Sequence, residues 1–285
     1  MKTLNVIGCG RVGQTLAALL HRERVCEIQD LYARTPGSAQ RASQFIGAGH
    51  AVARLSQVRR ADVWLIGVPD TQISLAAEAL ELVLDPASTP ATPAVAFHCS
   101  GFFPADALGA LRSHGLRLAS AHPSLNFASP QTGVNQFPGT PCGLEGDPDA
   151  VAVVRELLTG IGGQCFEVAT ESKSLYHAAA VFCSNFTVVL QGIAREAWRD
   201  SGVPEELLPR LNQALLRHTV DNALALGPAV SLTGPAARGD LEVVRKQGEA
   251  VAAWHPIAGD VYRAMSLLAA NLARNGRTAP KRSGE

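Results

Sequence analysis

Lysine, net charge and closely paired cysteines are what this sequence has least of. Only four lysines occur, at positions 2, 173, 246 and 281, so 21 of the 25 basic residues are arginines. The 25 acidic residues cancel that charge, and no basic stripe is long enough to follow a phosphate backbone. We therefore expect no nucleic-acid partner.

The six cysteines are scattered, without a Cys-x-x-Cys pair or the His/Cys spacing of a zinc site. Reduced, mostly buried thiols are the expected state, which indicates a cytoplasmic protein without a bound metal. No apolar run approaches the length of a membrane span, and the first residues lead directly into a strand, which leaves no room for a signal peptide. We therefore expect no membrane partner.

A dinucleotide-binding fingerprint opens the chain. The apolar run of residues 3–7 precedes Gly8-Cys9-Gly10-Arg11-Val12-Gly13, and an amphipathic stretch follows. In such a strand, turn and helix, Gly8 allows the tight turn, Gly10 lets the pyrophosphate approach the backbone, and Gly13 lets the helix pack on the strand. The pyrophosphate then lies at the positive end of the helix.

The second predicted strand, residues 27–33, indicates which cofactor binds. NAD enzymes usually place Asp or Glu at the end of this strand, to bind the ribose hydroxyls. Here the strand ends in Arg34, Thr35 and Ser38, a cation and two hydroxyls suited to a 2′-phosphate, and Asp30 comes too early. The sequence therefore predicts NADP as the cofactor.

Three further strands are predicted to end at one edge of the sheet. The run 62–68 leads into Val68-Pro69-Asp70, which we assign to the cofactor site, because ligands bind at the carboxyl edge of open α/β sheets. The runs 94–97 and 116–121 lead to Ser100 and His122. Ser100 could bond the nicotinamide amide and His122 could line the substrate pocket. The alternative for these polar side chains is loop-capping hydrogen bonds, and this applies to His98 as well.

Residues 172–185 form the predicted first helix of a second domain. At about 100° per residue, Lys173, His177 and Ser184 fall within roughly 40° of one another on one face. A lysine in an arginine-using sequence suggests an ammonium that can release its proton. The alternative is a solvated lysine at a capped helix start.

The fold class predicted is α/β: a Rossmann-type doubly wound, mostly parallel sheet followed by an all-α domain. The sheet occupies residues 1–170 and the helices residues 171–275, with a disordered tail at 276–285. The predicted helices cover residues 171–200, 204–226, 240–253 and 256–274. Before the third of them, Arg238 is a candidate carboxylate binder, while Asp240 is a plausible N-cap.

Several short motifs occur along the chain: His98-Cys99-Ser100-Gly101, Ala121-His122-Pro123, Lys173-x-x-Tyr176-His177, Ser184-Asn185, Thr233-Gly234-Pro235 and Arg238-Gly239-Asp240. Together they resemble a bacterial family of predicted oxidoreductases, with a Rossmann-like NADP-binding half and a C-terminal helical domain of unknown function. The resemblance extends to about residue 274 and is more distant to ketopantoate reductase, the β-hydroxyacid dehydrogenases and pyrroline-carboxylate reductase. In the β-hydroxyacid dehydrogenases, a lysine is followed by asparagines three and four residues later. Lys173 matches that lysine, but Tyr176 and His177 replace the asparagines. Families of this shape usually dimerise through the helical domain, so the resemblance implies a homodimer.

The sequence thus predicts an NADPH-dependent reductase of a small carbonyl or imine compound bound between two domains. Lys173 is the first candidate for the general acid, and His177 is the alternative donor. Asn185 completes the catalytic set, and the expected substrate-binding residues are Ser100, His122, Ser184 and Arg238. The rival hypothesis is a non-catalytic NADP-binding redox sensor.

Overall fold

Short apolar runs, spaced by amphipathic segments, form one eight-stranded sheet in the first part of the chain. A computed structural model describes residues 1–84 and 93–279; the last six residues of the predicted disordered tail lie outside these ranges. The sheet order is β3-β2-β1-β4-β5-β6-β7-β8, with β7 antiparallel to β6 and every other neighbouring pair parallel. The strands are β1 (Lys2–Ile7), β2 (Cys26–Tyr32), β3 (His50–Val52), β4 (Val63–Ile66), β5 (Val95–His98), β6 (Arg117–Pro123), β7 (Pro141–Gly146) and β8 (Gln164–Glu167).

Successive strand residues supply two apolar layers, one on each face of the sheet. In β4, Leu65 packs in the layer that contains the helices Arg11–Arg22, Pro36–Ile46 and Pro148–Gly160. Trp64 packs in the layer that contains the helix Ile73–Glu81 and the 3₁₀ segment Ala105–His114. This is the doubly wound arrangement that the sequence predicts, and the fold class is confirmed. The helices of this part are α1 (Arg11–Arg22), α2 (Pro36–Ile46), α3 (Ile73–Glu81), α4 (Pro130–Gln136), α5 (Pro148–Gly160) and α6 (Lys173–Cys183).

Helix α6 packs on the sheet, on the face that also carries Leu118 and Ser120 of β6. A Cβ atom added to Gly143 of β7 would lie 2.9 Å from the Tyr176 hydroxyl, and one added to Gly101 would lie 2.5 Å from Nδ1 of His177. These two glycines therefore allow α6 to lie directly against the sheet. Accordingly, the first compact unit is Met1–Cys183, and it extends beyond the domain boundary predicted at residue 170.

The second compact unit, which begins at Ser184, is helical throughout its regular structure and has very little core of its own. Among its described residues, the buried hydrophobic side chains are those of Leu208 and Ala258. Large apolar side chains are exposed instead, including Val188, Leu224 and Leu267. Its helices are α7 (Asn185–Asp200), α8 (Leu208–Leu226), α9 (Pro228–Ser231), α10 (Pro235–Arg238), α11 (Leu241–Trp254) and α12 (Pro256–Asn275).

The continuous helix predicted over residues 171–200 is interrupted. Ser184 has φ −110° and ψ −68° and separates α6 from α7. Taken together, Thr170–Asp200 is long and apolar enough to cross a membrane by length and composition, with mean hydropathy 1.3. The expectation that no apolar run approaches a span is therefore wrong by this measure, although Lys173, near the start of the segment, packs against the sheet.

The contact between α6 and β7 can be tested with Gly143→Ala. The added Cβ must push Tyr176 or β7 aside, so we expect a loss of about 1–3 kcal/mol in the free energy of unfolding, measured by urea denaturation. Gly192→Ala is the matched control, since nothing lies within 4 Å of a Cβ at this position of α7. That variant should gain up to about 1 kcal/mol. A Gly143→Ala protein as stable as the parent would contradict the close packing.

Candidate active site

The glycine loop between β1 and α1 has the geometry of a phosphate cradle. Gly8 has φ +98°, and a Cβ there would lie 2.7 Å from the carbonyl carbon of Gly67; a Cβ on Gly13 would lie 2.7 Å from the Gly8 oxygen. Both glycines are thus required by the packing of the chain itself. Gly10 has no such close neighbour and is the N-cap of α1, and no side chain caps that helix. The first N–H groups of α1 are therefore available to an anion.

The tip of β2 gathers hydroxyl groups and an additional arginine. Thr35 is the N-cap of α2 and accepts a bond from the Ser38 amide, and the two side-chain oxygens are 2.8 Å apart. Arg41 donates to the Ser38 Oγ at 3.0 Å, while Arg34 is exposed. Sequence reasoning missed Arg41, although it lies one helical turn after Ser38 and shares its face. The Arg41 guanidinium and the two hydroxyls thus lie together at the tip of β2.

Asp30 has a structural role, in keeping with its early position in β2. Its carboxylate is buried, with 1% exposure, and accepts bonds from the backbone N–H and the guanidinium of Arg59 at 2.6–2.7 Å. Its oxygens are therefore engaged away from the strand tip.

Ser100 and His98 brace the loop after β5. The Ser100 hydroxyl donates to Asp70 at 2.8 Å and accepts from the amides of Phe102 and Phe103. One nitrogen of His98 accepts from the Ser100 amide at 3.1 Å, and the other bonds the Pro104 carbonyl at 2.9 Å. Burial lowers the pKa of His98 to about 4, so the ring is neutral at pH 7. For Ser100 and His98, these hydrogen bonds support a role in capping the loop, which was the alternative to ligand binding.

Lys173 is buried between α6 and the sheet, with only 2% exposure, so it is not a solvated lysine. Its Nζ donates to Ser120 Oγ at 2.8 Å and to the Ser100 carbonyl at 3.2 Å. Burial lowers the pKa of this ammonium, while the charges of Glu145, 4.0 Å away, and of Asp70 oppose that change. The site therefore contains one buried positive charge at the carboxyl edge of the sheet.

Glu145 of β7 is a residue that the sequence analysis missed. It faces Ser120 in the antiparallel pair β6–β7, with 8% exposure. Its carboxylate accepts from Ser120 Oγ at 2.9 Å, from the Ala105 amide at 2.8 Å and from Thr170 Oγ1 at 3.0 Å. An acidic residue in the otherwise uncharged run Pro141–Gly146 was the available signal.

Three ring side chains from β6 and α6 form a half-buried cluster beside Lys173. The Tyr176 hydroxyl lies 3.0 Å from Nδ1 of His122 and 3.1 Å from the Ser124 hydroxyl. The rings of His177 and His122 pack edge to face, with 5.4 Å between their centroids. Burial, helped by His177 and by the Lys173 charge, lowers the pKa of His122 to about 4, against the influence of Asp70. His122 is therefore neutral at pH 7 and can orient a polar ligand.

Two domain models match the chain. A Rossmann-like domain matches residues 2–123, and DUF2520, a domain of unknown function, matches residues 140–269. The first part of the chain is thus similar to a Rossmann-like domain and the second part to DUF2520. The resemblance noted from the sequence motifs is thereby confirmed. Among curated proteins, none has a significantly similar sequence.

Solved structures with a similar fold cover nearly the whole chain. Protein TM1727 from Thermotoga maritima is 26% identical, with 96% of this chain and 99% of that chain covered and a TM-score of 0.74. The putative NADP oxidoreductase BF3122 from Bacteroides fragilis is 22% identical, with 95% and 98% covered and a TM-score of 0.73. An imine reductase from Myxococcus stipitatus, in complex with NADP+, is 18% identical, with 97% and 96% covered and a TM-score of 0.64.

The residues of the candidate site come from both matched segments. His122 lies in the Rossmann-like segment, whereas Glu145, Lys173, Tyr176 and His177 lie in the DUF2520 segment, although all five belong to the first compact unit. The candidate site is therefore built where the DUF2520 segment packs back on the Rossmann-like sheet.

Three predicted site residues, Ser184, Asn185 and Arg238, lie in the second compact unit. Ser184 is the N-cap of α7 rather than part of α6, so the single helix face predicted for Lys173, His177 and Ser184 is wrong at its last member. The Ser184 hydroxyl donates to Asn185 Oδ1 at 2.8 Å. Arg238 is the last residue of α10, where it bonds Asp240 at 3.1 Å; Asp240 precedes α11 but caps no N–H with its side chain.

Proposed function

We propose that this protein is an NADP-dependent oxidoreductase that transfers a hydride from NADPH to a small carbonyl or imine substrate. One observation carries the proposal: α6 brings Lys173, Tyr176 and His177 against His122 at the carboxyl edge of the sheet that also bears the glycine loop. In open α/β sheets, this edge is where cofactor and substrate meet.

The cofactor assignment is supported from two directions. Arg34, Thr35, Ser38 and Arg41 offer two cations and two hydroxyls at the tip of β2. Fold neighbours include the putative NADP oxidoreductase of Bacteroides fragilis and the imine reductase bound to NADP+. When bound, the nicotinamide supplies the hydride, and the chain must orient the substrate, exclude water and deliver a proton.

The protein side chains divide these tasks according to their burial. The ammonium of Lys173 is enclosed, so we assign it the stabilisation of negative charge that develops on the reacting oxygen or nitrogen. We assign contact with the substrate and donation of the proton to the half-buried groups His122, Tyr176 and His177. Neutral His122 holds the Tyr176 hydroxyl in place through Nδ1. The roles assigned from sequence to Ser184, Asn185 and Arg238 stay predictions.

The rival function, a non-catalytic redox sensor, is less well supported by these side chains. A sensor has no need of proton donors near the nicotinamide and could fill the space with apolar groups. The face of α6 on the sheet instead carries an ammonium, a phenol and an imidazole.

We also propose a cytoplasmic homodimer. Cys9, Cys26, Cys99, Cys142 and Cys165 are thiols, as expected in a reducing compartment. In the second unit, Leu215, Leu224, Val230, Leu241 and Leu267 are each more than half exposed. Helices with so little core need a partner surface, and a second copy would cover the same faces by symmetry.

The cofactor assignment predicts a preference in binding. Calorimetric titration should find NADPH bound at least about tenfold more tightly than NADH, because one charged contact contributes about 1.4 kcal/mol or more. Arg34→Ala and Arg41→Ala should each reduce this ratio, and Arg22→Ala, at the other end of α1, should leave it unchanged. Equal affinities in the parent, or a preference that survives in the Arg34→Ala/Arg41→Ala double variant, would refute the assignment.

The catalytic assignment predicts a selective loss of turnover. Lys173→Met keeps the length of the side chain but removes its charge, so kcat should fall by about 10²–10⁴ while NADPH affinity hardly moves. Tyr176→Phe should also lower kcat. The assay is NADPH oxidation with a panel of small keto acids and cyclic imines, and exposed Lys246→Met is the control. Undiminished turnover in a folded Lys173→Met protein would contradict the role of α6.

The dimer is tested by light scattering at micromolar concentration. We expect a mass about twice the 29.9 kDa of one chain. Leu224→Glu together with Leu267→Glu, on exposed apolar positions of α8 and α12, should shift the mass toward one chain, whereas Arg217→Glu on α8 serves as the polar control. A parent protein of 29.9 kDa in solution would rule the dimer out.

A further inference from the structure

Lys173, Ser120 and Glu145 form a hydrogen-bonded chain with a definite direction. A serine hydroxyl has one proton to donate and lone pairs to accept with. Ser120 accepts from the Lys173 ammonium at 2.8 Å and donates to the Glu145 carboxylate at 2.9 Å. This direction suits a positive lysine and a negative glutamate, with 4.0 Å between Nζ and Oε2.

Glu145 is held more firmly than a simple counter-charge requires. The Ala105 amide and the Thr170 hydroxyl fix its two oxygens from the 3₁₀ segment before β6 and from the turn that leads into α6. One side of the residue lines a cavity of about 310 Å³ between α5 and the segment after β8, and Arg155 and Glu167, which also line it, bond each other at 2.7 Å. Both carboxylate oxygens are thus fixed by hydrogen bonds from Ser120, Ala105 and Thr170.

We propose that Glu145 is the positioning residue of the site: it holds the Lys173 ammonium in place and keeps it charged. This inference rests on the function proposed for Lys173. A buried ammonium tends to lose its proton, and an opposite charge 4.0 Å away counteracts that tendency. Within the part of the chain that the structure describes, no hydrogen bond or ion pair joins Glu145 to His122, Tyr176 or His177, so it acts through Lys173 and not on the substrate.

Other titratable groups also surround Lys173 and have to be considered. Asp70, after β4, adds negative charge, while His98 of β5 and His122 of β6 are neutral at pH 7. Tyr176 and His177 come from α6 itself. Glu145 is the acidic residue that forms the ion pair and shares a hydrogen-bonding serine with Lys173, so its removal should have the largest effect.

The test is a pH titration of Lys173 by NMR, which needs no substrate. With four lysines in the chain, protein labelled with [6-¹³C]lysine gives few signals, and Lys173→Arg identifies the one of interest. Glu145→Gln should lower the titration midpoint of Lys173 by about one to three pH units, the usual effect of losing an opposite charge at this distance. Glu167→Gln, which removes an acid lining the same cavity, should leave the midpoint unchanged.

A merely structural role predicts the opposite sign. If Glu145→Gln only loosened the packing, water would reach Lys173 and its midpoint would rise toward the ordinary value of about 10.4. A rise or no change therefore overturns the inference.

If Glu145→Gln does not fold, Glu145→Asp is the second variant. It retains a charge farther from Nζ and should give a smaller decrease in the midpoint. An unchanged midpoint in Glu145→Asp also overturns the inference. Neither result bears on turnover, so the Lys173→Met assay still decides the proposed function separately.

Discussion

The buried ammonium of Lys173 is the contact on which the arrangement of the candidate site depends. An enclosed charge is costly unless hydrogen bonds and an opposite charge satisfy it. Here the loop after β5, strand β6 and strand β7 provide Ser100, Ser120 and Glu145. These contacts fix the first turn of α6, and Tyr176 and His177 follow one turn later on the same side of the helix.

Small residues make this arrangement sterically possible. Gly143 lies under Tyr176 and Gly101 lies under His177, so the rings approach the backbone of the sheet and meet His122. The sheet supplies a flat, rigid floor, and α6 supplies the side chains. This explains why α6 belongs to the same compact unit as the sheet. In sequence, by contrast, α6 falls within residues 140–269, which match DUF2520.

Much of the fold could be predicted from sequence because each buried strand is a short apolar run that ends in turn residues. The run at β4 and the fingerprint at Gly8 were unambiguous for that reason. The short helices α4, α9 and α10 were missed, since four to seven residues that begin with proline carry no helical periodicity. The interruption at Ser184 was missed because the apolar pattern continues across it.

The sequence identified many residues of the candidate site but not their burial or their hydrogen-bond partners. Strand ends indicated the edge at which Ser100 and His122 lie, yet only the fold reveals that the Ser100 hydroxyl is occupied by Asp70. Lys173 was singled out by its rarity among arginines, but its burial depends on Glu145, 28 positions earlier in the sequence, reaching it across the sheet. The acid stands out in the otherwise uncharged run of β7, but nothing in the sequence pairs it with Lys173, because the two residues meet only in the folded sheet.

The composition of the face between α6 and the sheet bears on function as well as on structure. Leucine or valine at Lys173 and Glu145 would pack without any desolvation cost, and apolar replacements of buried ion pairs are often neutral or stabilising. A fold that needed only to attach α6 would gain nothing from burying an ammonium, a carboxylate and two imidazoles beside a phenol. Their presence at the ligand-binding edge of a Rossmann-like sheet is therefore better explained by chemistry than by packing.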